Sequence, residues 1–69
     1  MALTKEQRKR KLGRGAARKI AAAVSRSESH VSRVLSGERL DAVVTEEAAR
    51  RLGVSTRVAF PEYYRRRVA

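Results

Sequence analysis

The chain has no cysteine, which excludes disulfides and any cysteine-ligated metal centre. It has a single histidine, His30. One imidazole does not make a metal site, so no metal and no cofactor is expected. There is no tryptophan, and the three aromatic residues, Phe60, Tyr63 and Tyr64, all stand near the end. Single-strand nucleic-acid binders stack bases on aromatic side chains, and the first 59 residues offer none. No apolar run approaches the ~20 residues that a bilayer-spanning helix needs. The basic opening KEQRKRKLGRG is not followed by the apolar segment of a secretory signal. A cytoplasmic location without a membrane partner is the resulting expectation. No enzyme activity is expected either: there is no nucleophile–base pair, no carboxylate pair in an apolar setting and no phosphate loop. Gly13-Arg14-Gly15 has no strand before it and is not a dinucleotide motif.

Acidic residues are also scarce, 7 against 17 basic ones, for a formal charge of +10. The distribution is uneven. Residues 1–20 hold 8 basic and 1 acidic side chain, residues 21–44 hold 3 of each, and residues 45–69 hold 6 and 3. Such a field attracts polyanions, whether DNA, RNA or an acidic membrane surface. With 69 residues, one small domain spanning 1–69 is expected. A core of this size gives only about 3–5 kcal/mol of stability. Eleven of the apolar residues are alanine, which favours helix and lets helix axes approach closely. No strand-like alternation is long enough to build a sheet. The fold class is therefore all-α, a compact bundle of four to five helices.

Thr4 and Gln7 form a capping-box pattern, which starts a helix over KEQRKRKL. Gly13 and Gly15 punctuate the chain after it. Residues 1–14 thus read as a basic first helix or arm, either solvated or touching phosphate. From Gly15, AARKIAAAV makes a short helix with Ile20 and Val24 on one face and Ala17 and Ala21 beside them. SRSES interrupts the pattern. Ser25 and Ser27 both qualify as N-caps, and Ser25 has Glu28 three residues on. In the next helix Val31, Val34 and Leu35 form one apolar stripe, while Glu28, Ser29, Ser32, Arg33 and Ser36 face the other way. Gly37 stops it. Thr45 is the expected cap of EEAARRL, whose acidic first turn suits the helix dipole. Gly53 closes that helix, VSTRVAF reads as a short fifth one, and Pro61 limits it. Residues 63–69 are a basic tail, either loose or a further turn.

Two short helices with compatible apolar stripes, a small-polar turn between them and a small residue, Ala21, at mid-helix meet the helix-turn-helix requirement. KIAAAV…SRSESHVSRVLSGER resembles the helix-turn-helix of the Cro/C1-type (XRE) repressors. HVSRVLSG is also similar to the reading helix of LacI-type regulators. EEAARRLGVSTRVAFP looks like the fourth and fifth helices that close a Cro/C1-type domain, with an ending similar to Ner-like phage regulators. The likeness covers about residues 15–62. It implies a Cro/C1-type domain and a bacterial or phage transcription regulator, most often a repressor, that binds double-stranded DNA. There are departures. The family has glycine and then an apolar residue in the turn, where this chain has Ser25 and Arg26. A left-handed backbone costs a non-glycine residue roughly 1–2 kcal/mol. Either the turn differs or the first helix runs on. The family's phosphate-bonding glutamine at the start of its second helix is here Ala17.

Carried over residue by residue, the resemblance implies base contacts from Ser27, Glu28, Ser29, Ser32 and Arg33. A guanidinium can bond guanine O6 and N7 together, which gives about 1–3 kcal/mol of discrimination. Arg33 is the leading candidate, with a phosphate contact as its alternative. Glu28 either accepts from cytosine N4, orients Arg33, or only closes a capping box with Ser25. Phosphate contacts are expected from Arg14, Arg18, Lys19, Arg26, His30 and Arg39, with additions from the run Lys5 to Lys11 and from Arg65 to Arg67. So small a domain reads few base pairs. A homodimer, formed in solution or only on DNA, is therefore expected on a palindrome. The chain has no room for a separate ligand domain, so no small-molecule ligand is expected. Three other readings stay open. TEEAARRLGVSTRVA could itself be the helix-turn-helix, with Ser55 to Arg57 reading bases. The protein could bind nucleic acid without regard to sequence. It could also be an antitoxin-type interaction module with autoregulatory DNA binding.

Overall fold

A computed structural model describes residues 2–62. The described chain is all-helical, with no strand among the described residues, in the order α1 Lys5–Leu12, α2 Ala16–Val24, α3 Glu28–Leu35, α4 Ala42–Leu52 and α5 Thr56–Ala59. Tyr63, Tyr64, Arg65 to Arg67 and the rest of the expected tail lie outside the described residues.

The apolar stripes of α2, α3 and α4 close on one another. Ile20, Val31, Val34, Val44, Ala48, Ala59 and Phe60 are fully or almost fully buried, and Leu12, Ala17, Val24 and Leu52 pack at the edge. Ala21 is buried among them. Its single methyl lets a neighbouring helix come close where a larger side chain would hold it off. Fully burying a Val, Ile or Phe side chain is worth about 1.5–3 kcal/mol, so these few residues carry most of the apolar stabilisation.

α1 is held differently. Thr4 caps it through the reciprocal bonds of a capping box: Gln7 N–H donates to Thr4 Oγ1 at 3.2 Å and Thr4 N–H donates to Gln7 Oε1 at 2.9 Å. Yet KEQRKRKL has one apolar residue, Leu12, and no stripe to bury. Arg8, one turn earlier on the same face, takes the place of an apolar anchor and is fully buried. Its Nε and Nη2 donate to the Leu35 carbonyl at 3.1 and 2.8 Å, and Nη1 donates to the Ala59 carbonyl at 2.8 Å. Nη1 and Nη2 also donate to Glu62 Oε1 and Oε2 at 3.1 and 2.9 Å. The guanidinium lies over the Phe60 ring, 4.4 Å from its centroid. All five N–H groups are used. The carbonyls they meet are the last of α3 and of α5, where helix dipoles favour a cation. Arg8 is thus no phosphate contact, which corrects the reading of Lys5 to Lys11 as a uniformly solvated or phosphate-facing run.

Two caps differ from expectation. α4 starts at Ala42, ahead of the expected EEAARRL, because Asp41 caps it: Oδ1 accepts from Val43 N–H at 3.0 Å and Val44 N–H at 3.3 Å. Thr45 is inside the helix and buried, and its hydroxyl donates to the Ala42 carbonyl at 3.0 Å. The earlier start extends α4 by a turn and brings Val44 into the core. Between α2 and α3, Ser27 is the N-cap, accepting from His30 N–H at 3.1 Å, while Ser25 ends α2. The capping box between Ser25 and Glu28 does not form.

Among the described residues Ser25 is the one non-glycine residue with positive φ, at φ 58°, ψ 45°. The first helix of the pair does not run on, and a serine carries the left-handed turn that glycine usually carries. Ser25→Gly relieves that strain, offset in part by the freer unfolded chain. A gain of about 1 kcal/mol is expected, a rise of roughly 4–8 °C in melting midpoint for a domain of this size. Thermal melts followed by circular dichroism check it; a lower midpoint would mean that the serine side chain makes a bond worth more than the strain.

Candidate nucleic-acid interface

Burial of Val31, Val34 and Leu35 fixes the rotation of α3 about its axis. The opposite face must then point outward. Ser27, Glu28, Ser29, Ser32 and Arg33 are all exposed. Four of them, Glu28, Ser29, Ser32 and Arg33, line one open groove together with Ala17 of α2. Among the described residues neither Glu28 nor Arg33 is engaged in an ion pair. This face carries one negative and one positive side chain and three hydroxyls, a set that can donate and accept but is nearly neutral as a whole.

The charge sits beside it. A second groove shares Ala17, Glu28 and Ser32 and is bordered by Lys9 in the last turn of α1 and Arg18 in the first turn of α2. The Gly13–Gly15 turn lies at its edge, and Arg14 projects exposed from that turn. Lys19 and Arg39 are exposed but line neither groove. Lys9 was legible in the sequence only as one member of the basic run. Helical phase would have separated it from Arg8, which turns to the core while Lys9 faces solvent.

Arg26 and His30 are already engaged. Arg26 Nε donates to Asp41 Oδ2 at 3.2 Å and Nη1 to the Val24 carbonyl at 3.2 Å; His30 Nε2 is 2.7 Å from the same Asp41 oxygen. Asp41 therefore joins the α2–α3 turn, the first turn of α3 and the start of α4. It was absent from the sequence-derived residues, although an aspartate just before Ala-Val-Val is an N-cap signal. Burial pushes the Asp41 carboxyl up, but hydrogen bonds from His30, the Val44 N–H and Arg26 outweigh it and hold the group below its ordinary value of 3.8.

A carboxylate with a lowered native pKa stabilises the fold above its unfolded pKa, and that stability is lost as pH falls through the lowered value. The melting midpoint should accordingly hold at pH 5 and fall below about pH 4. Asp41→Asn should remove part of this acid sensitivity while keeping the helix cap, since Asn caps as well as Asp. Glu47, lowered by its bonds from Arg50 and Arg51, leaves a remainder. Melts of both proteins across this range test the assignment; identical acid limbs would show that Asp41 is not the group responsible.

The alternative reading of Ser55 to Arg57 meets a steric limit. α5 has only four residues, Thr56 is half-buried and Ala59 is fully buried, so little of it could lie along a groove. Among the described residues no group of His, Asp and Glu side chains could hold a metal ion, and no helix is long and apolar enough to cross a membrane.

No family model, curated protein or solved structure matches the chain.

Proposed function

We propose that this protein is a sequence-specific double-stranded DNA-binding regulator in which α2 and α3 form a helix-turn-helix of the Cro/C1 type and α3 enters the major groove. The observation that carries this reading is the groove where Glu28, Ser29, Ser32 and Arg33 meet Ala17, with a second groove beside it that shares Ala17, Glu28 and Ser32 and is bordered by Lys9 and Arg18. A nearly neutral polar face suits base edges, which present donors and acceptors rather than net charge. A basic border suits phosphates, which position a protein without specifying sequence. Arg33 bonds guanine, Glu28 accepts from cytosine or orients Arg33, and Ser27, Ser29 and Ser32 complete the contact. Arg14, Arg18, Lys19 and Arg39, with Lys9, grip the backbone. Gly15 at the N-cap of α2 brings no side chain to its first amides, which leaves them for a phosphate oxygen.

Two copies act together on a palindrome with half-sites about 10–10.5 base pairs apart. Occupying a promoter in this way represses transcription. Selection from a random duplex library at near-physiological salt tests the proposal. A two-fold symmetric enriched sequence is the expected result. A single asymmetric site would remove the dimer, and no enrichment, with binding that merely fades as salt rises, would reduce the protein to a charge-driven nucleic-acid binder.

A further inference from the structure

The turn between α2 and α3 holds a charge cluster that the proposed function leaves without a role. Asp41 Oδ2 takes Arg26 Nε at 3.2 Å and His30 Nε2 at 2.7 Å, while its Oδ1 caps α4. The three side chains are layered. Asp41 is 13% exposed, His30 25% and Arg26 41%, so the carboxylate lies beneath donors that reach solvent. Both donors stand next to the reading face: Arg26 directly precedes the N-cap Ser27, and His30 lies in the first turn of α3 beside Ser29. Phosphate and carboxylate present the same chemistry to a guanidinium or an imidazole N–H, anionic oxygens that take charge-assisted hydrogen bonds. A phosphate arriving at this turn therefore meets two side chains that each already give an N–H to an internal anion.

We propose that Asp41 is a built-in counter-ion that competes with DNA phosphate for Arg26 and His30 and so sets how strongly this turn grips the backbone. The inference rests on the DNA-binding reading above. Its physical consequence is selectivity. A protein of charge +10 risks being held by any duplex, because phosphate contacts are blind to sequence. Occupying two donors from within lowers that indiscriminate attraction without touching the base-reading residues.

The test is binding to a duplex of arbitrary sequence, measured across a salt series for the unaltered protein and for Asp41→Asn. The amide keeps an oxygen to cap α4 but carries no charge to hold Arg26. Binding should tighten by roughly three- to tenfold at low salt, and the slope of log affinity on log salt should steepen by about 0.9, the value of one further neutralised phosphate. The second arm repeats the substitution in an Arg26→Met background, as a double-mutant cycle. There most of the gain should vanish, because the released donor is gone. An equal gain in both backgrounds would mean plain long-range repulsion and overturn the proposal. Weaker binding by a folded Asp41→Asn protein would make Asp41 only a structural tie, and also overturn it. Should Asn disturb the fold, Asp41→Ser supplies an uncharged cap for the same comparison. Unaltered protein that fails to bind any duplex defeats the DNA reading itself. Unaltered protein that binds, with no change on Asp41→Asn, defeats this inference alone.

Discussion

Arg8→Met is expected to leave the protein largely unfolded at room temperature. The substitution removes five hydrogen bonds at once: it strands the buried carbonyls of Leu35 and Ala59 and takes two bonds from the Glu62 carboxylate. Each buried acceptor left without a partner costs about 1–3 kcal/mol, and loss of the ion pair with Glu62, whose side chain is 28% exposed, adds to that. Together these are comparable to the whole stability expected of a domain this small, about 3–5 kcal/mol. Methionine fills much of the space and rests on Phe60, so the loss is chiefly polar. Lysine should not rescue the fold, because an ammonium offers donors from one point, whereas these acceptors are arranged for a planar fork. Arg10→Met, on an exposed site of the same helix, should change stability by no more than about 0.5 kcal/mol. Urea melts followed by circular dichroism decide it. A cooperative Arg8→Met transition at the unaltered midpoint would show that the network adds nothing.

Arg33→Ala should leave the fold intact and relax sequence selection. Arg33 is exposed, and among the described residues no ion pair holds it, so truncation costs the bundle little. A bidentate contact to guanine is worth about 1–3 kcal/mol of discrimination, and a symmetric complex loses it once in each half-site. Duplex selection run in parallel on both proteins should show the guanine preference disappear at one position of each half-site, with the neighbouring positions kept. A uniform loss of affinity over all sequences, with a salt slope smaller by about 1, would instead assign Arg33 to a phosphate. Enrichment of the same site at the same strength would remove it from the interface.

The sequence was most readable where local rules act without competition. The capping box at Thr4 and Gln7 and the Val31–Val34–Leu35 stripe depend only on neighbours along the chain. The outward face of α3 followed from that stripe as its complement. Reading failed where a distant partner decides. Thr45 with Glu46 and Glu47 makes a good helix start in isolation. The core's demand for Val44, together with an aspartate able to serve two amides, set the start earlier instead. Arg8 escaped because pattern rules count arginine as a surface residue. A helix with Leu12 as its lone apolar side chain nevertheless has to be fastened by something, and Arg8 is one turn away on the same face. The pairing of Asp41 with Arg26 and His30 spans 15 and 11 residues and depends on how α3 lies against the start of α4, which no local pattern encodes.

The buried arginine has a further consequence, in the order of events rather than in stability. Its partners lie 27, 51 and 54 residues along the chain, so its bonds close some of the longest loops among the described residues, beside the one closed by Leu3 N–H on the Val58 carbonyl at 2.9 Å. The entropy of closing those loops must be met before the bonds form. α2, α3 and α4 can assemble from neighbours in sequence, so α1 is expected to be buckled onto them and onto the end of α5 afterwards. Interactions that form after the rate-limiting step govern how fast a protein comes apart, and hardly how fast it folds. The unfolding rate of the chain is then expected to respond to Arg8 and Glu62, neither of which belongs to the proposed reading face.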